Sequence, residues 1–210
     1  MFHRDIGGLI LALFVIGIPL YGIYFMGDLW LAVNKHDESL AMVSSAGRTG
    51  TGLFISPTQI ISASSKVKEG GRLLVIVDGK TVEGTITARD RELGVVLIEI
   101  QDYSHSTPAV VKRHTPDLHE KSKGVGFISG WALGYKAEYI GQDGALNIYK
   151  TPGQFMRPSP SFHQARGGIM LNSEGDIVGI VTSSYHGKRL WYVNATENSR
   201  LLKFIEKHKR

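Results

Sequence analysis

Three kinds of hydrophobic pattern follow one another along the chain. From Ile6 to Met26 the sequence IGGLILALFVIGIPLYGIYFM carries no charge, and about 20 apolar residues suffice for a helix that crosses a bilayer. Pro19 and the glycines are compatible with such a helix. The next stretch, VNKHDESL from Val33 to Leu40, is polar and reads as a short tether. Beyond it, short apolar runs alternate with turn signals, a pattern of many short strands. The runs are LAMVSSA, TGLFIS, QIISASS, RLLVIVD, TVEGTITARD, LGVVLIEI, KGVGFISGWAL, KAEYIGQ, ALNIYK, GGIMLN, DIVGIVTSS and LWYVNA. Asp78-Gly79 and Ser173-Glu174-Gly175-Asp176 are natural hairpin turns. One helix closes the chain, with Thr196 as its cap and Leu201, Leu202 and Ile205 on its apolar face.

These patterns divide the chain into residues 1–32 as a transmembrane anchor, 33–40 as a tether and 41–210 as an all-β domain. Arg4 precedes the uncharged run, while Asp28, Asp37 and Glu38 follow it with Lys35. The positive-inside tendency therefore puts the N-terminus in the cytoplasm and the β domain outside it, periplasmic in a bacterium. A cleaved signal peptide is the rival reading, but the run exceeds the usual apolar core and no A-x-A site follows.

Composition narrows the chemistry further. The 210 residues contain no cysteine, which removes disulfides, thiol catalysis and thiolate metal ligands. The net charge is a mild +5, concentrated at the tail by Lys203, Lys207, Lys209 and Arg210. Such a tail is a candidate contact with anionic lipid headgroups, although it also suits the end of a solvated helix. Basic and aromatic residues do not alternate as a nucleic-acid surface requires.

The ordered segments resemble the trypsin-like serine peptidases, closest to the bacterial HtrA/Deg branch. TGTGLFISPTQIISASSKV resembles the segment that delivers the family's histidine, and TVEGTITARDRELGVVLIEI the one that presents its aspartate. RGGIMLNSEGDIVGIVTSS resembles the nucleophile loop and its two strands, and LWYVNATENSRLLKFI the closing strand and helix. The resemblance covers most of Ser39 to Arg210 and implies a double β-barrel with a C-terminal helix, without a PDZ domain after it.

In that family a serine attacks a carbonyl, a histidine takes its proton and an aspartate orients the histidine. The resemblance puts the histidine position at Ser65, the aspartate position at Gly94 and the serine position at Arg166. Gln164 stands for the oxyanion-hole glycine and Ile169 for the following proline. None of the three triad residues is present at these positions, and the expectation is a pseudoprotease with no catalytic residue, metal or cofactor.

Other constellations remain open. His163 with Ser159 or Ser161, and Lys66 with Ser64 or Ser65, each offer a base beside a hydroxyl. HTPDLHE collects His114, Asp117, His119 and Glu120, without a recognised ligand spacing. Arg166 itself is either a guanidinium filling a dead cleft or an anchor in a partner interface. Trp131, Tyr135, Tyr139 and Tyr185 are candidate contact points or core residues. The expected role is an accessory subunit of a membrane protein complex. A peptide-binding or chaperone-like module and a hydrolase with a rearranged site are the alternatives.

Overall fold

A computed structural model describes residues 18–67, 73–101, 103, 104, 107–128, 131–151, 166–186 and 190–208. It contains a helix α1 (Ile18–His36), then β1 (Leu40–Ser45), β2 (Arg48–Ser56), β3 (Gln59–Ala63), β4 (Leu73–Val77), β5 (Lys80–Asp90) and β6 (Val95–Ile100). There follow β7 (Lys121–Ile128), β8 (Trp131–Asp143), β9 (Leu146–Thr151), β10 (Ile169–Leu171), β11 (Ile177–His186), β12 (Trp191–Thr196) and the helix α2 (Asn198–His208).

The strands close two barrels, ordered β1-β2-β3-β6-β5-β4 and β7-β8-β9-β12-β11-β10, so both halves share one antiparallel topology. Alternation explains the inward faces. In β4, Leu73, Val75 and Val77 are buried in the first barrel with Phe54, Ile60 and Ile98. β6 is apolar on both faces because it serves two cores: Val96 and Ile98 fill the first barrel, whereas Val95 and Leu97 pack between the barrels. The interior of the second barrel is built on Tyr135, Tyr149, Met170 and Val193. Gly124 makes room for the Tyr135 ring, since a Cβ there would lie 2.0 Å from the ring's Cζ.

The core between the barrels also receives the helices. Leu201, Phe204 and Ile205 of α2 and Ala32 of α1 belong to it. Leu29, Ala32, Val33 and His36 share one face of α1, the face that meets the second barrel, with Leu29 and Val33 lying over Gly134. Asp28 bonds Lys123 at 2.5 Å, and the Lys35 and His36 side chains both donate to the Gly175 carbonyl. Val33–His36, expected in a short tether, therefore form the last turn of a docked helix, and Asp37–Ser39 make a 3-10 turn into β1.

Two further expectations change. KGVGFISGWAL, read as one strand, divides between β7, which ends at Ile128, and β8, which starts at Trp131. Thr196 does not cap α2: its hydroxyl accepts the Ile180 N–H, and Glu197 caps the helix through the N–H groups of Ser199 and Arg200. The uncharged run Ile6–Met26 lies largely outside the described residues. Among those described, no helix is long and apolar enough to cross a membrane.

Candidate functional site between the barrels

The expected positions Ser65, Gly94 and Arg166 come from three separate segments, and the fold gathers them along one strand. Ser65 lies in a 3-10 turn after β3, where the Ser64 N–H donates to the Gly94 carbonyl at 2.8 Å. The Ser65 hydroxyl donates to the Thr182 carbonyl on β11 at 3.4 Å. Gly94, with φ +69°, faces the Thr182 side chain, and a Cβ there would lie 3.3 Å from Thr182 Cβ. Two residues along, the Arg166 guanidinium donates to the Ser184 carbonyl at 3.3 Å. Carbonyls two residues apart on a strand are separated by roughly 7 Å, so Ser65 and Arg166 engage neighbouring positions of one edge.

That edge has a structural reason. β10 pairs with β11 only over Ile177–Ile180, while β12 pairs with β11 as far as His186. Past Ile180, among the described residues, that side of β11 meets the site residues and the turn at 166–168. Gly167 donates to Val181 at 2.6 Å, and Val181 returns a bond to the Gly168 carbonyl at 2.8 Å.

Thr51 on β2 fixes this turn from the opposite barrel. Its N–H donates to the Arg166 carbonyl at 2.9 Å, its carbonyl accepts the Ser62 hydroxyl at 2.6 Å, and its hydroxyl accepts the Phe127 N–H at 2.7 Å. Thr51, Thr182 and Ser184 carry the geometry, yet none stood out in the sequence. Each is a small hydroxyl residue in or beside an apolar run, a signal shared with many strand positions.

The arrangement presents directed donors along a strand. A guanidinium keeps its proton and offers forked N–H groups matched to carbonyls and carboxylates. Arg166 is half-buried, which lowers its pKa from the usual arginine value without making it a base at neutral pH. A serine hydroxyl becomes a nucleophile only beside a base, and Ser65 here donates to a carbonyl instead.

The remaining candidates divide. Ser159, Ser161, His163 and Gln164 lie outside the described residues, as do the side chain of Lys66 and the tail residues Lys209 and Arg210. Ile169 is fully buried between the barrels. His114 meets Glu120 at 3.0 Å, whereas His119 meets Glu138 at 2.8 Å, so the two histidines of HTPDLHE serve different partners. Among the described residues, no group of three or more His, Asp or Glu is placed to hold a metal ion. Tyr135 and Tyr139 are core or partly buried, while Trp131 and Tyr185 are exposed, Tyr185 stacking on Tyr192 with ring centroids 5.0 Å apart.

No protein-family model matches the chain, and no curated protein matches it. Solved structures do. An inactive form of the Rv3671c protease has 16% identity and a TM-score of 0.66, covering 85% of this chain and 93% of that one. The active form from M. tuberculosis has 14% identity and a TM-score of 0.69, covering 85% and 84%. The fold is that of the trypsin-like serine proteases. The likeness does not single out the HtrA branch. It also corrects the expectation of a chain that is no enzyme: both of these similar structures are of a protease, one in its active form.

Proposed function

We propose that this protein is a membrane-anchored, trypsin-fold protein that engages a polypeptide at the β11 edge between its barrels, as a working part of a membrane protein complex. The observation that carries the reading is the bond from Arg166 to the Ser184 carbonyl. It places a forked donor beside the part of β11 that lies past its pairing with β10, next to the hydroxyl of Ser65 on Thr182. A strand edge with ordered donors suits an extended peptide, which supplies main-chain hydrogen bonds and a carbonyl or carboxylate for the guanidinium. The positions Ser65, Gly94 and Arg166 correspond on this reading to the family's triad positions. The uncharged run Ile6–Met26 supplies the anchor and places the barrels outside the cytoplasm.

Gentle detergent extraction of the native protein, crosslinking and identification of crosslinked residues test this directly. Stable partners crosslinked beside Ser184 or Tyr185, and lost in Arg166→Ala, are the expected outcome. Partners that remain bound in Arg166→Ala remove the edge from the interface. The anchor reading requires the protein to stay with membranes through alkaline washing and to keep its N-terminus.

Cleavage of the bound polypeptide is the second reading, favoured by the likeness to a protease in its active form. Hydrolysis of a peptide library that disappears in Ser65→Ala or in Ser161→Ala would establish it and name the nucleophile. Peptides bound and returned intact would leave binding alone.

A further inference from the structure

The outer face of the second barrel concentrates lysines beside α1. Strand register puts Lys123 opposite Lys136, Lys121 opposite Glu138, and Glu138 opposite Lys150. These residues therefore share one face of three adjacent strands. Among the described residues, the ion pairs of these four lysines run to two carboxylates, Glu138 and Asp28. Glu138 pairs with Lys121 at 2.5 Å and Lys150 at 2.8 Å, and also accepts from His119. Asp28, on α1, pairs with Lys123 at 2.5 Å and stands 3.9 Å from Lys136. Like charges placed directly across a ladder repel, and Asp28 stands between Lys123 and Lys136 as an anion that draws them together.

Depth decides what these lysines meet. Resting on the membrane-anchor reading, the uncharged run ends at Met26, and Asp28 follows two residues later in the same helix. A helix rises about 1.5 Å per residue, which puts Asp28 some 3 Å beyond the run's end. The headgroup layer on each side of a bilayer is roughly 5–7 Å thick. Lys123 and Lys136, bonded to or beside Asp28, are thus held at headgroup depth. Trp30, one turn past Met26 and 63% exposed, occupies the level where tryptophans gather at membrane interfaces. Because Leu29, Ala32 and His36 fasten α1 to the barrel, this depth is set by the fold rather than by a loose tether.

We propose that Lys121, Lys123, Lys136 and Lys150 form a docking surface for anionic lipid headgroups, which holds the second barrel against the bilayer surface from which α1 emerges. The occupant is the phosphate-bearing surface of an anionic membrane. The lysine-rich C-terminal tail is not required.

The full-length protein is reconstituted in nanodiscs of phosphatidylcholine alone or with 30% phosphatidylglycerol (a composition chosen for the assay), and the acetylation rate of each lysine is read by mass spectrometry. Lys121, Lys136 and Lys150 should react about threefold or more slowly in anionic discs. High salt should restore the rates of the more exposed Lys121 and Lys150. Lys80, at a hairpin of the first barrel, should be unaffected. Equal rates in both lipids, with the protein still in the discs, overturn the docking surface and leave the anchor standing. Protein that elutes apart from the discs overturns both. Protection of Lys203 and Lys207 in place of the barrel lysines assigns the contact to the tail and also overturns the proposal.

Discussion

Gly167 lies so close to Thr51 that a Cβ at position 167 would sit 1.8 Å from the Thr51 carbonyl oxygen. The same Cβ would lie 2.6 Å from the Ser62 hydroxyl, which is bonded to that carbonyl. The glycine is thus required twice, by the close approach of the barrels and by its φ of +89°. Gly167→Ala should lower stability by about 2–4 kcal/mol, combining overpacking with the penalty for a left-handed backbone. Gly144→Ala is the control. Its φ is +57° but a Cβ there meets nothing within 4 Å, so its cost should stay near 1 kcal/mol. Urea unfolding midpoints of the two variants measure the difference, and equal midpoints would show that the barrels separate easily at this contact.

The C-terminal helix offers a test of capping. Glu197 accepts from the Ser199 and Arg200 N–H groups, both at 3.0 Å, and from the Ser199 hydroxyl. Burial raises its carboxyl pKa, but these donors outweigh burial and hold it below the usual value. Glu197→Ala should cost about 1 kcal/mol. Thr196→Ala loses a different bond, to Ile180 within the barrel. Hydrogen exchange separates them: the first variant should free the first turn of α2, the second the β11–β12 ladder.

The sequence patterns carried the strands further than the site. The alternation in RLLVIVD marks Leu73, Val75 and Val77 as inward, and Asp78-Gly79 turns with positive φ at both residues. Ser129-Gly130 gave too weak a signal inside an apolar run to separate β7 from β8. VNKHDESL reads as a tether because polar residues outnumber the few that dock. Only the three-residue and four-residue spacing of Leu29, Ala32, Val33 and His36 reveals the buried face. Ser65, Gly94 and Arg166, far apart in sequence, lie together along β11. The contact that holds the Arg166 turn was not legible, because Thr51 lies more than a hundred residues from the turn it fixes. Nothing local to TGTGLFIS encodes that contact.

Glu138 predicts an acid-sensitive seam in the second barrel. Its carboxyl, bonded first by Lys121, then by Lys150 and His119, is held down to about 2. A lowered carboxyl pKa means that the unfolded chain binds the proton more readily. Its contribution is present above the ordinary carboxylate value and is lost as pH falls toward about 2. Glu138→Gln should therefore flatten the stability profile between about pH 4.5 and 2. Thermal unfolding of both proteins across that range is the measurement. Parallel profiles would show that Lys121, Lys150 and His119 hold Glu138 no better folded than unfolded.

His36 predicts a second pH dependence, placed where α1 meets the second barrel. Its Nε2 lies 3.0 Å from the Gly175 carbonyl, and a carbonyl can only accept, so this nitrogen carries the hydrogen. Burial lowers its pKa below the usual 6.5, opposed by the Gly175 bond, with Lys35 lowering it further and Asp176 raising it. The sign follows from proton counting. Between the two pKa values the undocked helix binds more protons than the docked one, so docking strengthens as pH rises. The contribution is complete above about 6.5 and is lost as pH falls through the lowered folded value. Amide exchange in residues 28–36 should accelerate, after correction for intrinsic rates, from pH 7.5 to 5.5 in the wild-type protein. His36→Gln keeps a donor for Gly175 but cannot titrate, and its corrected exchange should be level over the same range. If both proteins open equally on acidification, other groups at this seam, with Asp176 and Glu174 nearest, control the helix and His36 does not.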